Sequence, residues 1–265
     1  MNIIITAGGT TERIDPVRKI SNMATGKLGS LIAEEFARQS GKKIKKIYYI
    51  CEKGAVIPTL DCVELVSVEG SESVQNALSS LLTDRRIDAV VHSMAVSDYT
   101  VDRVTTARLL ADFLADRLFS VHPGQFESPN ALAKAIAEWI RQNDCLLDSR
   151  KKLASDYEDL ILSMRRTPKL IRTIKTLQPS TVLVGFKLLN GVEKQQLLEA
   201  GYGVLEKSSC DFVLANDLTE IGPNRHVGYL LSPDRSCTRL ETKEEIAQAI
   251  VRNVLGAIDR RETIP

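Results

Sequence analysis

The sequence lacks any long apolar run. No stretch approaches the roughly eighteen apolar residues that a membrane-spanning helix needs, and no basic region precedes the first short apolar run, as it would in a secretory signal. We therefore expect no membrane association, no targeting segment and a cytoplasmic location.

An excess of charge of one sign is also missing. Lys and Arg together number 35 and Asp and Glu together number 34. Because opposite charges nearly balance, no overall field attracts nucleic acid or an anionic membrane. Any anionic ligand must be bound by local groups.

Cysteine and histidine do not form the patterns of a disulfide framework or a metal site. The five cysteines are scattered, odd in number and without a C-x-x-C pair. His92, His122 and His226 share no ligand spacing, and neither a Ser-His-Asp nor a Cys-His arrangement is present. We expect no protein-built metal site, so a metal ion would arrive with a nucleotide.

Short apolar runs alternate with helical patterns along most of the chain. The apolar runs predict strands buried on both faces, at Ile3 to Ala7, Ile47 to Ile50, Val63 to Val68, Ala89 to His92, Thr181 to Phe186 and Phe212 to Ala215. The helical patterns cover Gly26 to Gln39, Val74 to Leu82, Pro168 to Leu177 with Thr167 as cap, and Val192 to Glu206. This alternation predicts an α/β fold with a Rossmann-like, doubly wound, mostly parallel sheet, as one domain over residues 1–265.

Two segments depart from the alternation. Residues 103–148 fit it poorly and are interpreted as an insertion with one helix, Pro129 to Gln142, capped by Ser128. Near the end of the chain, His226 to Leu231 and Thr238 to Leu240 predict a β-hairpin. Thr242 and Glu245 then form a capping-box pattern before a final helix.

A polar loop of about twenty residues follows the first strand, where connections of about four to six residues are common. Gly8 and Gly9 let backbone N–H groups approach an anion, and Gly26 with Lys27 opens a helix whose N-terminus adds donors. Neither a complete G-x-G-x-x-G nor a Walker motif is present, so a glycine turn without a ligand remains an alternative.

The interior of this loop carries side chains suited to anions. Arg18, Ser21 and Asn22 lie in "DPVRKISN", which is too polar for a core and too long for a simple connection. A guanidinium and a carboxamide together suit a phosphate and a carboxylate or acyl oxygen. The loop is therefore a candidate ligand site.

Other candidates follow the later strands, beyond whose carboxyl ends ligands bind in such sheets. Asp98 follows the fourth strand, Lys151 and Lys152 stand in a charged loop, and Phe186 ends the fifth strand. Each has an ordinary alternative: a turn cap, a solvated surface and a core aromatic. Their places in successive ligand-side loops favour a shared site.

Asn216 and Asp217 end the sixth strand in "ANDL". They are either contacts to a ligand's ribose or an Asx turn, and chemistry alone favours the turn.

Taken together, the motifs resemble the phosphopantothenate–cysteine ligase family (phosphopantothenoylcysteine synthetase) of coenzyme A biosynthesis, in its monofunctional bacterial form. The motifs occur in the family's order and cover most of the chain outside residues 103–148: "ITAGGTTERIDPVRKISNMATGKLG", "AVSDYT", "KKLASDYEDLILSMRRTPKLI", "VGFK" and "ANDL". The most specific is D-P-V-R-x-I-S-N followed by T-G-K.

The resemblance implies a Rossmann-like homodimer that activates the carboxylate of 4′-phosphopantothenate with CTP, or ATP in some relatives. Pyrophosphate is released with Mg²⁺, and the amine of L-cysteine then attacks the acyl nucleotide. Many bacterial relatives carry a flavin-dependent decarboxylase ahead of this domain. The chain begins at the ligase strand, so we expect no FMN.

The resemblance also implies roles for single residues. Asn22 matches the asparagine that holds the acyl nucleotide, and Arg18 matches the arginine just upstream. Lys151 or Lys152 fills the place of the catalytic lysine in a flexible loop. The binding residues predicted from the loops and the resemblance together are Gly8, Gly9, Ser21, Gly26, Lys27, Met94, Asp98, Pro168, Lys169, Leu170, Ile171, Phe186, Lys207, Asn216 and Asp217.

The nucleotide preference and two other functions are left as alternatives. Met94 stands where small residues are usual, and "FKLLN" lacks the acidic residue that often follows, so the choice between CTP and ATP is open. The glycines of "TAGGT" also suit an NAD(P)-dependent reductase on the same fold, although Cys51-Glu52 offers only a poorly placed ribose acid. A non-catalytic nucleotide-binding module is the third alternative, because a fold does not prove a reaction.

Overall fold

The chain forms two units. The computed structural model describes residues 1–40, 43–122, 124–222 and 225–262. The first unit comprises Met1–Thr11, Ser21–Ser97 and Pro168–Pro265, and the second comprises Glu12–Ile20 and Asp98–Thr167. Residues 103–148, predicted as an insertion, fall in the second unit, and Pro123 among them lies outside the described residues.

Strands and helices alternate through most of the described chain. The strands are β1 (Asn2–Ala7), β2 (Thr11–Arg13), β3 (Lys19–Ser21), β4 (Lys46–Glu52), β5 (Val63–Val68), β6 (Ala89–His92), β7 (Tyr99–Thr105), β8 (Ile161–Arg166), β9 (Val182–Leu189), β10 (Phe212–Asp217), β11 (Gly228–Leu231) and β12 (Cys237–Leu240). The helices are α1 (Lys27–Ser40), α2 (Ser71–Asp84), α3 (Ala107–Phe119), α4 (Pro129–Gln142), α5 (Leu170–Leu177), α6 (Lys194–Lys207) and α7 (Lys243–Glu262).

The first unit is built on an eight-stranded sheet with the order β12-β11-β10-β9-β6-β1-β4-β5. The pairs from β10 to β5 are parallel, and β11 and β12 are added as an antiparallel hairpin. Ile3 of β1 pairs with Ile47 on one side and Ala89 on the other. The predicted mostly parallel sheet with a C-terminal hairpin and a final helix is confirmed.

Alternating side chains of β1 feed two hydrophobic cores, one on each face of the sheet. Ile3 and Ile5 pack with Phe36 of α1 and residues of α7, whereas Ile4 packs with residues of α2, α5 and α6. Because successive strand residues point to opposite faces, one continuous apolar run supplies both cores. Burial of apolar surface contributes about 25 cal/mol per Å² to the stability of the fold. The sheet, which is buried on both faces, is therefore the rigid support for its loops.

The structure corrects two local predictions. Val63–Val68 is not buried on both faces, because β5 is the edge strand and Leu65 is 49% exposed. Helix α5 begins at Leu170, with Lys169 rather than Thr167 as its N-cap residue. The backbone N–H of Thr167 instead donates to the carbonyl of Asp98, at 3.0 Å.

The second unit contains an antiparallel pair and two helices. Strands β7 and β8 pair from Tyr99 with Arg166 to Thr105 with Ile161. Helix α4 has the predicted bounds, and the Ser128 hydroxyl accepts from the N–H of Ala131, as expected of an N-cap.

Helix α3 was not predicted from the sequence. It had a cap signal, since the Thr106 side chain accepts from the N–H of Leu109. No helix among the described residues is long and apolar enough to cross a membrane.

Candidate functional site

The loops that follow β1 and β6 are joined by backbone hydrogen bonds. Strands β9, β6 and β1 are neighbours at the centre of the sheet, so their carboxyl ends lie side by side. The N–H of Ala95 donates to the carbonyl of Gly8 at 2.8 Å, and the N–H of Thr10 donates to the carbonyl of Ala95 at 3.0 Å. The two loops therefore continue the parallel pairing beyond the strands.

The far end of the first loop folds back onto its start. The N–H of Asn22 donates to the carbonyl of Thr10 at 3.1 Å. A Cβ atom placed on Gly9 would lie 2.9 Å from Asn22 Cβ and closer still to the Asn22 carbonyl oxygen. Gly9 is needed here because the two backbone segments touch.

Two further glycines of the loop adopt left-handed backbone conformations. Gly8 has φ +81° and Gly26 has φ +77°, a region that side chains disfavour. Lys27 follows as the exposed first residue of α1, and its N–H donates to the Thr25 hydroxyl at 3.4 Å. The predicted turn and helix start are both present.

The side chain of Asn22 is exposed, but both of its donors are in use. Its Nδ2 atom donates to the carbonyl oxygen of Ala95 at 2.8 Å and to Ser97 Oγ at 3.2 Å. A carboxamide nitrogen carries two hydrogens, so its oxygen is the group that Asn22 can offer a ligand without breaking these bonds. In this state Asn22 presents an acceptor.

Ser21 is also committed as a donor. Its Oγ atom lies 2.9 Å from Thr11 Oγ1, and the Thr11 hydroxyl donates to a carboxylate oxygen of Glu52 at 2.6 Å. Because a hydroxyl has one hydrogen, Ser21 must donate to Thr11 and can only accept from a ligand. Phosphate oxygens need donors, so this geometry disfavours the predicted phosphate contact at Ser21.

The same contact bears on the reductase alternative. Glu52 ends β4, where a dinucleotide-binding protein places its ribose acid. Here the residue is 9% exposed and is bonded to Thr11. A ribose would have to displace that bond.

Several predicted binding residues belong to the cores. Met94 is 6% exposed and Leu170 is 3% exposed, and both pack in the core beneath α2 and α5. Phe186 is half-buried against the opposite core, and Ile171 packs against Gly185. Pro168 and Lys169, at the start of α5, are exposed.

Asp217 holds a turn together. The hydroxyl and N–H of Thr219 and the N–H groups of Gly191 and Val192 all donate to its carboxylate, at 2.6 to 3.0 Å. The Thr219 hydroxyl and these amides hold the pKa of Asp217 far below its usual range. The geometry supports the Asx-turn interpretation, in which Asp217 ties the loop after β9 to the end of β10.

Asn216 and Lys207 are the other two predicted binding residues of the first unit. The buried Asn216 donates to the carbonyl of Val227 at 2.7 Å, so it links β10 to β11. Lys207 ends α6, immediately before β10 begins, and therefore lies at the amino edge of the sheet. The candidate loops occupy the opposite edge, so the binding role of Lys207 stays a prediction that these loops do not support.

The remaining candidates belong to the second unit. Lys151, Lys152 and Asp98 are exposed. The guanidinium of Arg18 donates to the carboxylate of Asp15 and to the carbonyl of Leu153. No group of three or more His, Cys, Asp or Glu residues suited to a metal ion occurs within the described ranges.

The chain matches one protein family over most of its length. The match covers residues 1–112 and 130–257, and the family is described as the DNA/pantothenate metabolism flavoprotein C-terminal domain. The chain belongs to this family.

The chain is also similar to individual curated proteins. A coenzyme A biosynthesis bifunctional protein CoaBC of Thermococcus kodakarensis is 28% identical over 94% of this chain and 49% of its own length. The corresponding protein of Methanocaldococcus jannaschii is 24% identical over 95% of this chain and 50% of its own length. The chain thus spans about half the length of the curated relatives it matches.

A solved structure has the same fold over nearly the whole chain. The DNA/pantothenate metabolism flavoprotein from Streptococcus pneumoniae is 28% identical, with a TM-score of 0.76, and the match covers 97% of this chain and 99% of that one. The Rossmann-like α/β architecture is therefore a family property.

Sequence reasoning missed one buried polar residue of the first loop. Asp15 lies inside "DPVRKISN", where the sequence pattern indicates only a polar loop. Its carboxylate is 2% exposed and is bonded to Arg18 and to the N–H of Leu153. The Asp-to-Arg spacing of three residues was a visible signal, whereas the contact with Leu153 was not.

A buried histidine at the end of β6 gives a pH prediction. Burial lowers the pKa of His92 from 6.5 to about 4, and Nδ1 lies 3.0 Å from the Thr6 hydroxyl. Between these values the unfolded chain binds a proton that the folded chain does not, so stability is lost as the pH falls from about 6.5 to about 4. We expect a loss of roughly 3 kcal/mol in the free energy of unfolding across this window.

Urea unfolding at pH 7 and pH 4.5 measures the effect. His92→Gln should lose most of this pH dependence, whereas the exposed His122→Gln should keep it. Equal pH dependence in the wild type and His92→Gln would show that His92 does not cause it.

Proposed function

We propose that the chain joins 4′-phosphopantothenate to L-cysteine in an amide bond, using a nucleoside triphosphate and releasing pyrophosphate. The observation that carries the proposal is the family match over residues 1–112 and 130–257, with its relatives named for coenzyme A biosynthesis. Nucleotide dependence is general in this family, and CTP is our favoured nucleotide. We further propose a homodimer located in the cytoplasm.

The chemistry explains why a nucleotide is needed. A carboxylate does not react with an amine until its oxygen becomes a better leaving group. The attack then builds negative charge, which fixed donors and cations stabilise. We assign Arg18 and the pair Lys151 and Lys152 to this charge, and Asn22 to holding the activated acyl group.

Mg²⁺ has no protein-built site in this proposal. The described residues contain no cluster suited to a metal ion. We therefore assign Mg²⁺ to the phosphates of the nucleotide, with which it enters.

The test combines the purified chain with MgCl₂, 4′-phosphopantothenate, L-cysteine and either CTP or ATP. We expect amide product and an equal amount of pyrophosphate without added flavin. Reactions that omit one substrate at a time are the controls. Absence of amide product with both nucleotides would refute the proposed function.

Binding measurements separate the remaining alternatives. Thermal stabilisation by NADPH but not by CTP would favour the reductase. Stabilisation by CTP without any turnover would favour a non-catalytic nucleotide-binding module.

A further inference from the structure

A buried carboxylate links two distant segments of the second unit. Asp15 Oδ1 accepts from the N–H groups of Val17 and Arg18, each at 2.8 Å. Asp15 Oδ2 accepts from Arg18 Nε at 2.8 Å and from the N–H of Leu153 at 3.2 Å. The Arg18 guanidinium also donates to the carbonyl of Leu153 at 2.7 Å. We call Asp15, Arg18 and Leu153 the Asp15 clamp.

The clamp holds both backbone polar groups of Leu153. Its N–H is bonded to Asp15 and its carbonyl to Arg18, while its side chain is 5% exposed. Because its N–H, its carbonyl and its side chain are all held, Leu153 is fixed in place within an otherwise polar loop. Its register cannot shift without breaking two charge-assisted hydrogen bonds.

The lysine pair stands directly beside this fixed point. Lys152 precedes Leu153, and the N–H of Lys151 donates to the carbonyl of Asp148 at 3.2 Å. Both lysine side chains are exposed. The N–H of Leu147 donates to the carbonyl of Val104 at 2.9 Å, so the two cations project from a short segment that is held at Leu147 and at Leu153.

The state of the carboxylate suits this role. Burial opposes ionisation of Asp15, but hydrogen bonds from the amides of Val17, Leu153 and Arg18 outweigh it and lower the pKa of Asp15 to about 2. The carboxylate is therefore ionised at neutral pH. Its charge keeps the Arg18 guanidinium oriented toward Leu153.

We propose that Asp15 is a positioning residue that sets the place of Lys151 and Lys152 for amide synthesis, an inference that rests on the proposed function. A lysine contributes to rate only if its ammonium group is where charge develops, and a misplacement of about 1 Å can cost about a hundredfold. Asp15 acts through the lysines by fixing Leu153, and does not need to touch the substrate.

Asp15→Asn tests the proposal because it keeps the shape but removes the charge. Hydrogen exchange of the ligand-free variant should show lost protection at the Leu153 amide. Under saturating substrates, kcat should fall by about 10- to 100-fold while KM for the nucleotide changes little. Asp112→Asn is the matched control, since Asp112 forms an exposed ion pair with Arg108 in the same unit and should leave both readouts unchanged.

A double-mutant cycle separates positioning from a general structural effect. In a Lys151→Ala, Lys152→Ala background, Asp15→Asn should cause a much smaller further loss of rate, because the lysines that it positions are gone and only its contact with Arg18 is left to lose. A merely structural role would lower the rate by the same factor in both backgrounds. Asp15→Glu keeps the carboxylate and should recover part of the rate, and it replaces Asp15→Asn if that variant does not fold.

Three results would overturn the inference: unchanged protection at Leu153, unchanged kcat, or full additivity with the lysine substitutions. Loss of amide synthesis in the wild type is a different outcome. That outcome would refute the proposed function and, with it, the inference about Asp15. An active wild type with an insensitive Asp15 would refute the inference alone.

Discussion

Asn22→Asp is expected to reduce amide synthesis by at least about a hundredfold while leaving a folded protein, because it displaces the side chain that we assign to holding the activated acyl group. Asn22 Nδ2 donates to the Ala95 carbonyl and to Ser97 Oγ, and a carboxylate has no hydrogen for either acceptor. Its oxygens would instead face the Ala95 carbonyl oxygen. The side chain should leave its place, and the added charge should repel both the phosphates and the oxygen that becomes negative during attack.

The measurement is the initial rate under saturating substrates, together with urea unfolding. Because Asn22 is exposed, we expect a loss of no more than about 1 to 2 kcal/mol in the free energy of unfolding. Asn76→Asp makes the same chemical change at an exposed position of α2 and should leave the rate unchanged. Near-normal synthesis by Asn22→Asp would end the assignment of Asn22 to the acyl group.

Gly9→Ala should lower both stability and rate, although it adds a single methyl group. That carbon would lie 2.9 Å from Asn22 Cβ and closer to the Asn22 carbonyl, so the backbone must move. Overpacking of this kind typically costs about 1 to 3 kcal/mol. Because the displaced segment carries Asn22, we also expect a loss of rate of about 10- to 100-fold.

Gly203→Ala is the control for this substitution. Gly203 lies inside α6, has no positive φ and has nothing within 4 Å of an added Cβ. Alanine there should leave stability unchanged or raise it by up to about 1 kcal/mol. If Gly9→Ala matched Gly203→Ala in stability and rate, the close approach of Gly9 and Asn22 would not matter in solution.

The sequence predicted the central sheet well because its strands are continuous apolar runs. Strands β5 and β6 have the predicted bounds, and β1 differs by one residue. The antiparallel pair β7 and β8 was not predicted, because its residues are mostly half-buried or exposed and lack a clear apolar period. Such strands are specified by their pairing, which a linear pattern does not reveal.

For the candidate site, the sequence indicated which loops carry polar side chains but not how their donors are used. "DPVRKISN" indicated Arg18, Ser21 and Asn22 from residue type and position. Ser21 donates to Thr11, and the Asn22 amide donates to the carbonyl of Ala95. Both bonds depend on the folded backbone, which the sequence pattern does not show. For Lys207, the sequence alone does not reveal that the end of α6 lies at the amino edge of the sheet, opposite the candidate loops.

The bond between Asp15 and Leu153 also affects the order in which the nascent chain can fold. The two residues are 138 positions apart. At about 5 to 20 residues per second, Leu153 leaves the ribosome roughly 7 to 28 s after Asp15. Throughout that interval Glu12–Ile20 cannot complete its unit, whereas β1, β4, β5 and β6 are all synthesised and can pair before the interval ends. The segment that carries Lys151 and Lys152 can therefore become fixed only after translation has passed well beyond the first four strands of the sheet.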